Sequence, residues 1–128
     1  MNLLVDTHVL IWLMTDPRRL NTATANLLGD VENTVWFSSV SIWEIAIKRS
    51  LNRPDFLIEP DLFYRTTLAQ GHRELAVDGA HACAMRELPP VHKDPFDRML
   101  VAQARLENMR LLTSDSTLGK YGFPVMLT

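Results

Sequence analysis

Short apolar segments alternate with longer helical segments along the whole chain, and this alternation restricts the possible folds more than any other feature. NLLV (2–5) and TVWFS (34–38) predict buried strands, because both are brief, rich in apolar or β-branched residues, and followed by polar residues. Further strands are predicted at ELAV (74–77), RLLTS (110–114) and PVMLT (124–128). Alternation of this kind favours a three-layer α/β/α domain with a central, mostly parallel sheet. We expect the first strand near the middle of that sheet.

Six segments between the predicted strands have helical periodicity or helix-terminal signals. The first helix follows the first strand and stops near Asp16-Pro17, because the residue before a proline is biased away from helical backbone angles. The second, 21–33, is capped by Asn21 or Thr22. The remaining helices are predicted at 41–51, 61–70, 79–88 and 97–107.

Length and composition are those of an ordinary globular domain. With 128 residues and 47% hydrophobic content, we expect one domain, 1–128, with a substantial core. No apolar run is long enough to span a bilayer, and the N-terminus carries no recognisable export signal. Cys83 is the single cysteine, so an internal disulfide is impossible and a reducing cytoplasm is expected. The net charge of −2 gives no general attraction to nucleic acid, although bound cations would reverse the local charge.

Four acidic residues from distant parts of the chain fall at one edge of the predicted sheet. Asp6 ends the first strand, and Asp115 follows the strand RLLTS. Glu44 falls in the first turn of the helix after the second strand, and Asp97 opens the helix that leads to Asp115. In a parallel sheet, the carboxyl ends of strands and the N-terminal ends of the following helices share one edge, where ligands bind. The four carboxylates are therefore predicted to meet.

A divalent cation explains such a group better than four unrelated structural roles do. Neighbouring carboxylates repel one another, and without a cation some of them would have to take up protons. Oxygen ligands without cysteine or clustered histidine favour Mg²⁺ or Mn²⁺ over zinc. Metal ions held in this way suit phosphodiester hydrolysis, because they lower the pKa of a bound water and orient the phosphate.

Each acid also has a purely structural interpretation. Glu44 could form a capping box with Ser41 or an ion pair with Lys48 four residues later. Asp6 could cap the first helix, and Asp115 could cap a turn. These alternatives stay open for the residues taken singly.

Within VHKDPFDRML (91–100), two aspartates flank a proline and call for different interpretations. Asp94 precedes Pro95 and is expected to act mainly as a helix N-cap, since proline suits the first helical turn. Asp97 then falls near the third helical position, where an acid could either accept the backbone N–H of the capping residue, as in a capping box, or bind a metal. We assign Asp94 to the cap and Asp97 to the metal.

Basic and aromatic residues suggest where substrate and partners would contact the chain. Lys48 and Arg49, one turn past Glu44, are the best placed for phosphate contacts. The segment 51–63 has prolines near both ends and apolar residues between, and is the expected groove wall for a protein partner. The tryptophans are expected in the core or a dimer interface, and the histidines as surface or packing residues with only His92 near the site. The further arginine candidates are Arg18, Arg19, Arg53 and Arg98, the tryptophans Trp12, Trp36 and Trp43, and the other histidines His8, His72 and His81.

Four segments together resemble the PIN domain family. They are LLVDTHVLIW, SSVSIWEIAIK, DPFDRMLVAQA and LLTSD. Their order, their spacing and the total length agree with the family over essentially 1–128. Within that family the chain is similar to the VapC-type toxin ribonucleases of bacterial and archaeal toxin–antitoxin pairs.

The resemblance implies a metal-dependent endoribonuclease acting on RNA, usually a homodimer, kept inactive by a cognate antitoxin. It implies metal and catalytic roles for Asp6, Glu44, Asp97 and Asp115. Asp94 matches an additional acid of this subgroup, which is expected to lie next to the metal ligands without binding the metal itself. The hydroxyl residues next to site positions could hold waters or phosphate oxygens, and these are Thr7, Ser39 and Ser114.

Two other functional classes compete with this interpretation. A haloacid-dehalogenase-type phosphatase would need a second aspartate two residues after the first, where this chain has His8. A receiver domain would need a lysine at the end of its last strand, and PVMLT has none. These two belong to the first competing class, the phosphotransfer enzymes and receiver domains. The second competing class is an inactive PIN-like binding module, and the presence of all four acids argues against it.

Overall fold

A five-stranded sheet, parallel throughout, forms the centre of the molecule. The computed structural model describes residues 1–128. The strands are β1 Asn2–Val5, β2 Thr34–Ser38, β3 Arg73–Leu75, β4 Arg110–Thr113 and β5 Val125–Leu127. Their order across the sheet is β3-β2-β1-β4-β5, and every neighbouring pair is parallel. The predicted parallel sheet with the first strand at its centre is confirmed.

Seven α-helices surround the sheet. They are α1 Thr7–Thr15, α2 Thr22–Gly29, α3 Ser39–Ser50, α4 Pro60–Ala69, α5 Gly79–Ala84, α6 Pro95–Leu106 and α7 Ser116–Gly119. Short 3-10 turns follow α1 and α5, at Pro17–Arg19 and Met85–Glu87. The sequence did not predict α7, because four residues are too few to show a helical period. No helix has the length and apolar character needed to cross a membrane.

Two hydrophobic clusters, one on each face of the sheet, account for the three layers. Leu4 and Leu111 belong to the cluster under α6, whereas Leu3, Val5 and Leu112 belong to the cluster under α1, α3 and α4. All five are completely buried. A central parallel strand is covered on both faces, which explains why NLLV is apolar without alternation. This continuous run places the end of β1, and hence Asp6, at the middle of one sheet edge.

Among the predicted elements whose boundaries differ in the structure, two end early because of a local side-chain hydrogen bond. The helix predicted over 21–33 ends at Gly29, because the Asp30 carboxylate accepts the Glu32 N–H at 2.9 Å and forms a turn. The strand predicted over 74–77 ends at Leu75, since the Val77 N–H donates to the Ser39 hydroxyl at 3.2 Å instead of to a strand. Local side-chain hydrogen bonds outweigh apolar character at both places.

Of the three tryptophans, Trp36 is partly buried and packs against the cluster under α6, whereas Trp12 and Trp43 belong to neither cluster. Trp12 is half-buried beneath the Arg19 guanidinium, whose carbon lies 4.9 Å from the ring centroid. The Trp36 indole N–H donates to the Asn2 side chain at 3.0 Å. Trp43 is 61% exposed and meets Phe96 edge to face, with 5.1 Å between the ring centroids. A core position is therefore wrong for Trp43, and an interface position stays a prediction.

Candidate active site

Asp6 combines a helix cap with a buried position at the centre of the sheet edge. Its Oδ1 accepts the Val9 N–H at 2.8 Å, so Asp6 caps α1. The structural interpretation of this residue is therefore confirmed, and its role as a metal ligand stays a prediction. Only 3% of the residue is exposed, and this burial raises the pKa of the carboxyl. A buried carboxylate of this kind needs donors or a cation to stay ionised.

Thr113, which sequence reasoning missed, links two of the four acids. Its hydroxyl donates to Asp6 Oδ2 and accepts the Asp115 N–H at 3.0 Å. The side chain is completely buried at the end of β4, directly beside β1. The available signal was a hydroxyl residue two positions before Asp115, at the end of a strand expected beside the first one. Thr113 holds the ends of the two central strands in a fixed relation.

Glu44 lies one turn further into α3 than predicted. The helix begins at Ser39 with Ser38 as its cap, so Glu44 is in the second turn and the capping box with Ser41 is wrong. The alternative ion pair is confirmed, with Glu44 Oε2 3.2 Å from Lys48 Nζ. The other oxygen, Oε1, is buried and has no hydrogen-bond partner. An unpaired buried carboxylate oxygen is costly, which makes it a candidate cation ligand.

Asp94 and Asp97 separate as predicted into a cap and a crowded acid. Asp94 Oδ1 accepts the Phe96 N–H at 2.9 Å and begins α6, with Pro95 in the first turn. The pKa of Asp97 is raised to about 7, chiefly by burial and then by the charge of Asp94. Asp6 and Glu44 add to this increase, whereas His92 opposes it. Burial accounts for the largest part of this shift, and the neighbouring carboxylates add the rest.

Asp115 is the most exposed of the four acids, and both of its carboxylate oxygens have hydrogen-bond partners. Its Oδ1 accepts the Thr117 N–H at 2.9 Å and caps α7, so the structural interpretation holds here too. Its Oδ2 lies 3.0 Å from His92 Nε2. Burial would raise the pKa of Asp115, but the hydrogen bonds from His92 and Thr117 outweigh it and lower the pKa. Near neutral pH, Asp115 is therefore ionised, whereas Asp97, with a pKa of about 7, is only partly ionised.

The predicted neighbours of the acids mostly serve the fold. Thr7 is buried, and its hydroxyl donates to Ser41 at 2.9 Å, which links α1 to α3. Ser39 holds the loop after β3 through the Val77 N–H. Ser114 is exposed between Thr113 and Asp115. Of these three, Ser114 keeps the position expected for a contact with water or phosphate.

The basic residues differ in how far the fold already uses them. Lys48 is paired with Glu44 at the site, and Arg49 is paired with Glu59 at 2.8 Å. Arg98 donates to three main-chain carbonyls, at Met85, Pro89 and His92, and to the Tyr121 hydroxyl. Its guanidinium is committed inside the molecule, so we exclude Arg98 from the residues proposed to contact phosphate.

The donors at this edge fit a hard divalent cation. Carboxylate oxygens dominate the set, and one of them, Glu44 Oε1, is buried without a partner. The raised pKa of Asp97 is the second sign: burial contributes most to it, but the charges of Asp94, Asp6 and Glu44 add to it, and a cation among these groups would offset those charges. Asp6, Glu44, Asp97 and Asp115 are the residues that would hold such an ion.

Comparison with known proteins identifies the family to which the chain belongs. The sequence profile of the PIN domain matches residues 3–124, nearly the whole chain. The chain belongs to the PIN domain family. This membership removes the phosphatase and receiver-domain alternatives and leaves an inactive PIN-like module as the remaining competitor.

Relatives of this PIN domain include a named ribonuclease. Ribonuclease VapC22 of Mycobacterium tuberculosis is 28% identical over 126 residues, which cover 98% of this chain and 95% of that protein. Among solved structures, VapBC2 from Rickettsia felis bound to a promoter DNA fragment aligns with a TM-score of 0.73 and 16% identity, covering 100% of this chain and 98% of that one. A toxin–antitoxin complex from Klebsiella pneumoniae aligns at 0.64 and 19%, covering 96% and 94%. At these identities the structures demonstrate a shared fold.

Substitution of Asp94 tests its assignment as a cap. Asp94→Ala should lower the free energy of unfolding by about 0.5–2 kcal/mol, because the hydrogen bond to the Phe96 N–H is lost. Asp94→Asn should unfold almost like wild type, since asparagine caps about as well as aspartate. Both variants should still cleave substrate at reduced rates. Urea denaturation measures the difference, and equal losses for the two variants would contradict the cap assignment.

Proposed function

We propose that this PIN domain protein is a metal-dependent endoribonuclease and the toxin of a VapC-type toxin–antitoxin pair. The observation that carries the proposal is the grouping of four carboxylates at one sheet edge: the charges of Asp6 and Glu44 act on Asp97, Asp115 lies beside Asp97, and a buried Glu44 oxygen has no partner. RNA as substrate is supported by the name of the ribonuclease relative, and the toxin role by the toxin–antitoxin complex of the same fold.

In the proposed reaction the four acids hold Mg²⁺ or Mn²⁺, and the rest of the site orients those acids. When bound, such a cation would supply a water of lowered pKa and would neutralise charge on the phosphodiester. Thr113 orients Asp6 and α7 orients Asp115, each by a hydrogen bond to a carboxylate oxygen. A bound cation would favour the ionised form of Asp97, whose pKa is raised by burial and by the charges of Asp94, Asp6 and Glu44.

We propose Lys48 as the principal contact for an RNA phosphate. It is half-buried beside Glu44, so its ammonium stands at the border of the carboxylate group. Arg49 is a second candidate, which would have to exchange Glu59 for the phosphate. The hydroxyl of Ser114 completes the polar border next to Asp115.

We propose that the antitoxin binds in a groove formed by the segment 51–63, the predicted groove wall, and the residues around it. Leu57, Ile58, Leu62 and Phe63 line a groove of about 310 Å³ together with Met14. Leu57 and Leu62 are 70% and 59% exposed, an unusual position for leucine side chains on two neighbouring segments. An apolar antitoxin segment placed here would cover them.

For the oligomeric state we propose a homodimer that uses the exposed aromatic surface beside α3. Trp43 lines a largely apolar depression with Val40, Val77 and Met99. Trp43 is exposed in the single chain. A second copy of the chain packed against this surface would cover it, as aromatic residues are covered in interfaces. A cytoplasmic location, where RNA is available, agrees with this activity and with the unpaired Cys83.

The proposed function is tested by measuring whether RNA cleavage depends on a divalent metal. Purified protein should cut a labelled single-stranded RNA internally in Mg²⁺ or Mn²⁺ and should lose all cleavage in EDTA, with recovery when metal is restored. The Asp6→Asn variant, purified in the same way, reports any contaminating ribonuclease. Undiminished cleavage in EDTA would contradict the metal chemistry. A wild type that binds RNA and antitoxin but never cuts would favour the inactive binding module.

A further inference from the structure

His92 contacts two of the four acids, Asp97 at the start of α6 and Asp115 at the start of α7. It therefore links two helix starts that their own N-caps do not connect. Its Nε2 lies 3.0 Å from Asp115 Oδ2 and 3.3 Å from Asp97 Oδ2. Its Nδ1 accepts the Asp94 N–H at 3.0 Å. The Arg98 guanidinium fixes the backbone here by donating to the carbonyls of Pro89 and His92. The ring is therefore held from both sides, and its side chain is only 15% exposed.

The hydrogen bonds of the ring decide which nitrogen carries a proton. A nitrogen that accepts a main-chain N–H has its lone pair occupied, so Nδ1 is unprotonated and the proton of the neutral ring is on Nε2. The Nε2–H then donates to Asp115. Binding a cation through Nε2 would move the proton to Nδ1, where it would face the Asp94 N–H. Although the ligand atoms of His92, Asp97 and Asp115 lie within 4.8 Å of one another, the imidazole is a donor in this group.

We propose that His92 is a positioning residue of the nuclease site, which holds Asp115 and Asp97 at the spacing the cation requires without binding the cation itself. The inference rests on the proposed function. Asp115 needs such support, because its side chain is 39% exposed and its other protein contact is the first turn of the four-residue α7. Donors that orient ligating carboxylates typically change metal affinity or activity by about 10–100-fold when removed.

Two amide substitutions separate the two contacts of the ring. In His92→Gln the amide nitrogen can reach the place of Nε2 and donate to Asp115, but the acceptor for the Asp94 N–H is lost. In His92→Asn the amide oxygen can replace Nδ1, but the donor to Asp115 is lost. We expect His92→Asn to weaken Mn²⁺ binding, measured by calorimetry, and to slow cleavage, each by about 10–100-fold. His92→Gln should recover most of both, and His72→Gln, at the opposite end of the sheet, should match wild type.

Two spectroscopic measurements complete the test. Pulsed EPR of the Mn²⁺-loaded wild type should show no nitrogen hyperfine coupling from a coordinated imidazole, and ring ¹⁵N NMR of the metal-free protein should show the Nε2–H tautomer. A coupling that disappears in His92→Ala would overturn the proposal by making His92 a ligand. Better function of His92→Asn than of His92→Gln would overturn it by making the residue a loop anchor. A wild type that neither binds Mn²⁺ nor cuts RNA would overturn the proposed function itself, and the role of His92 with it.

Discussion

Asp97→Asn should abolish RNA cleavage and, in metal-free buffer at pH 8, raise the melting temperature. Burial disfavours the charged form of this carboxyl most, and the charges of Asp94, Asp6 and Glu44 add to that effect. The asparagine side chain fills the same space without a charge, so the repulsion disappears together with a metal ligand. We expect a gain of about 1–4 kcal/mol in the free energy of unfolding. Cleavage should fall below about one-hundredth of the wild-type rate, since losing a ligand costs more than losing a group that orients one.

The sign of this effect depends on pH. The folded-state pKa of Asp97 is raised from 3.8 to about 7, so between these values the folded protein binds more protons than the unfolded chain. Stability of the metal-free protein therefore falls as pH rises through this window, and the advantage of Asp97→Asn should be larger at pH 8 than at pH 5. Saturating Mg²⁺ should reverse the order, because only the wild type gains stability from the bound ion.

Thermal melts at both pH values, with and without Mg²⁺, check the prediction. Asp55→Asn is the matched control, since it removes one negative charge from an exposed loop away from the site. Loss of stability in Asp97→Asn with cleavage retained would mean that the roles of the two aspartates are reversed. Asp97 would then belong to the cap, and Asp94 would be the metal ligand.

The sequence predicted the strands and the edge they share because both follow from short-range pattern. A central parallel strand must be apolar on both faces, and Leu3, Leu4 and Val5 meet that requirement without help from distant residues. Each acid was then placed by its position after a strand or near a helix start. The assignment of the four acids to a metal stays a prediction, although the structure groups them as expected.

Contacts that depend on side-chain direction could not be predicted from the sequence. The start of α3 depends on whether Ser38 or a later serine caps it, and a shift of a few residues moved Glu44 from the first turn to the second. The role of His92 depends on a loop that returns its ring to Asp115, 23 residues away. No periodicity encodes such a contact. Thr113 was missed for a related reason, because its partner Asp6 is 107 residues distant.

Thr113→Val should be the most damaging substitution outside the four acids. Valine matches the shape of threonine but has no hydroxyl, so Asp6 Oδ2 and the Asp115 N–H both lose their partner. Leaving a buried polar group unsatisfied costs about 1–3 kcal/mol, and more for a charged one. For a domain of this size each kcal/mol lowers the melting temperature by roughly 3–5 °C. Cleavage should fall as well, by about 10–100-fold, because Asp6 and Asp115 lose their common support.

The pH dependence and a conservative variant distinguish this effect from a simple packing defect. Burial already raises the pKa of Asp6, and the Thr113 hydroxyl lowers it, so Thr113→Val should raise the pKa further. A raised acid pKa removes stability as pH rises, hence the difference from wild type should grow with pH. Thr113→Ser keeps the hydroxyl and should retain cleavage, at the cost of one buried methyl group. Equal, pH-independent losses in the valine and serine variants would show that Thr113 contributes packing alone, and that Asp6 is oriented by the Val9 N–H without it.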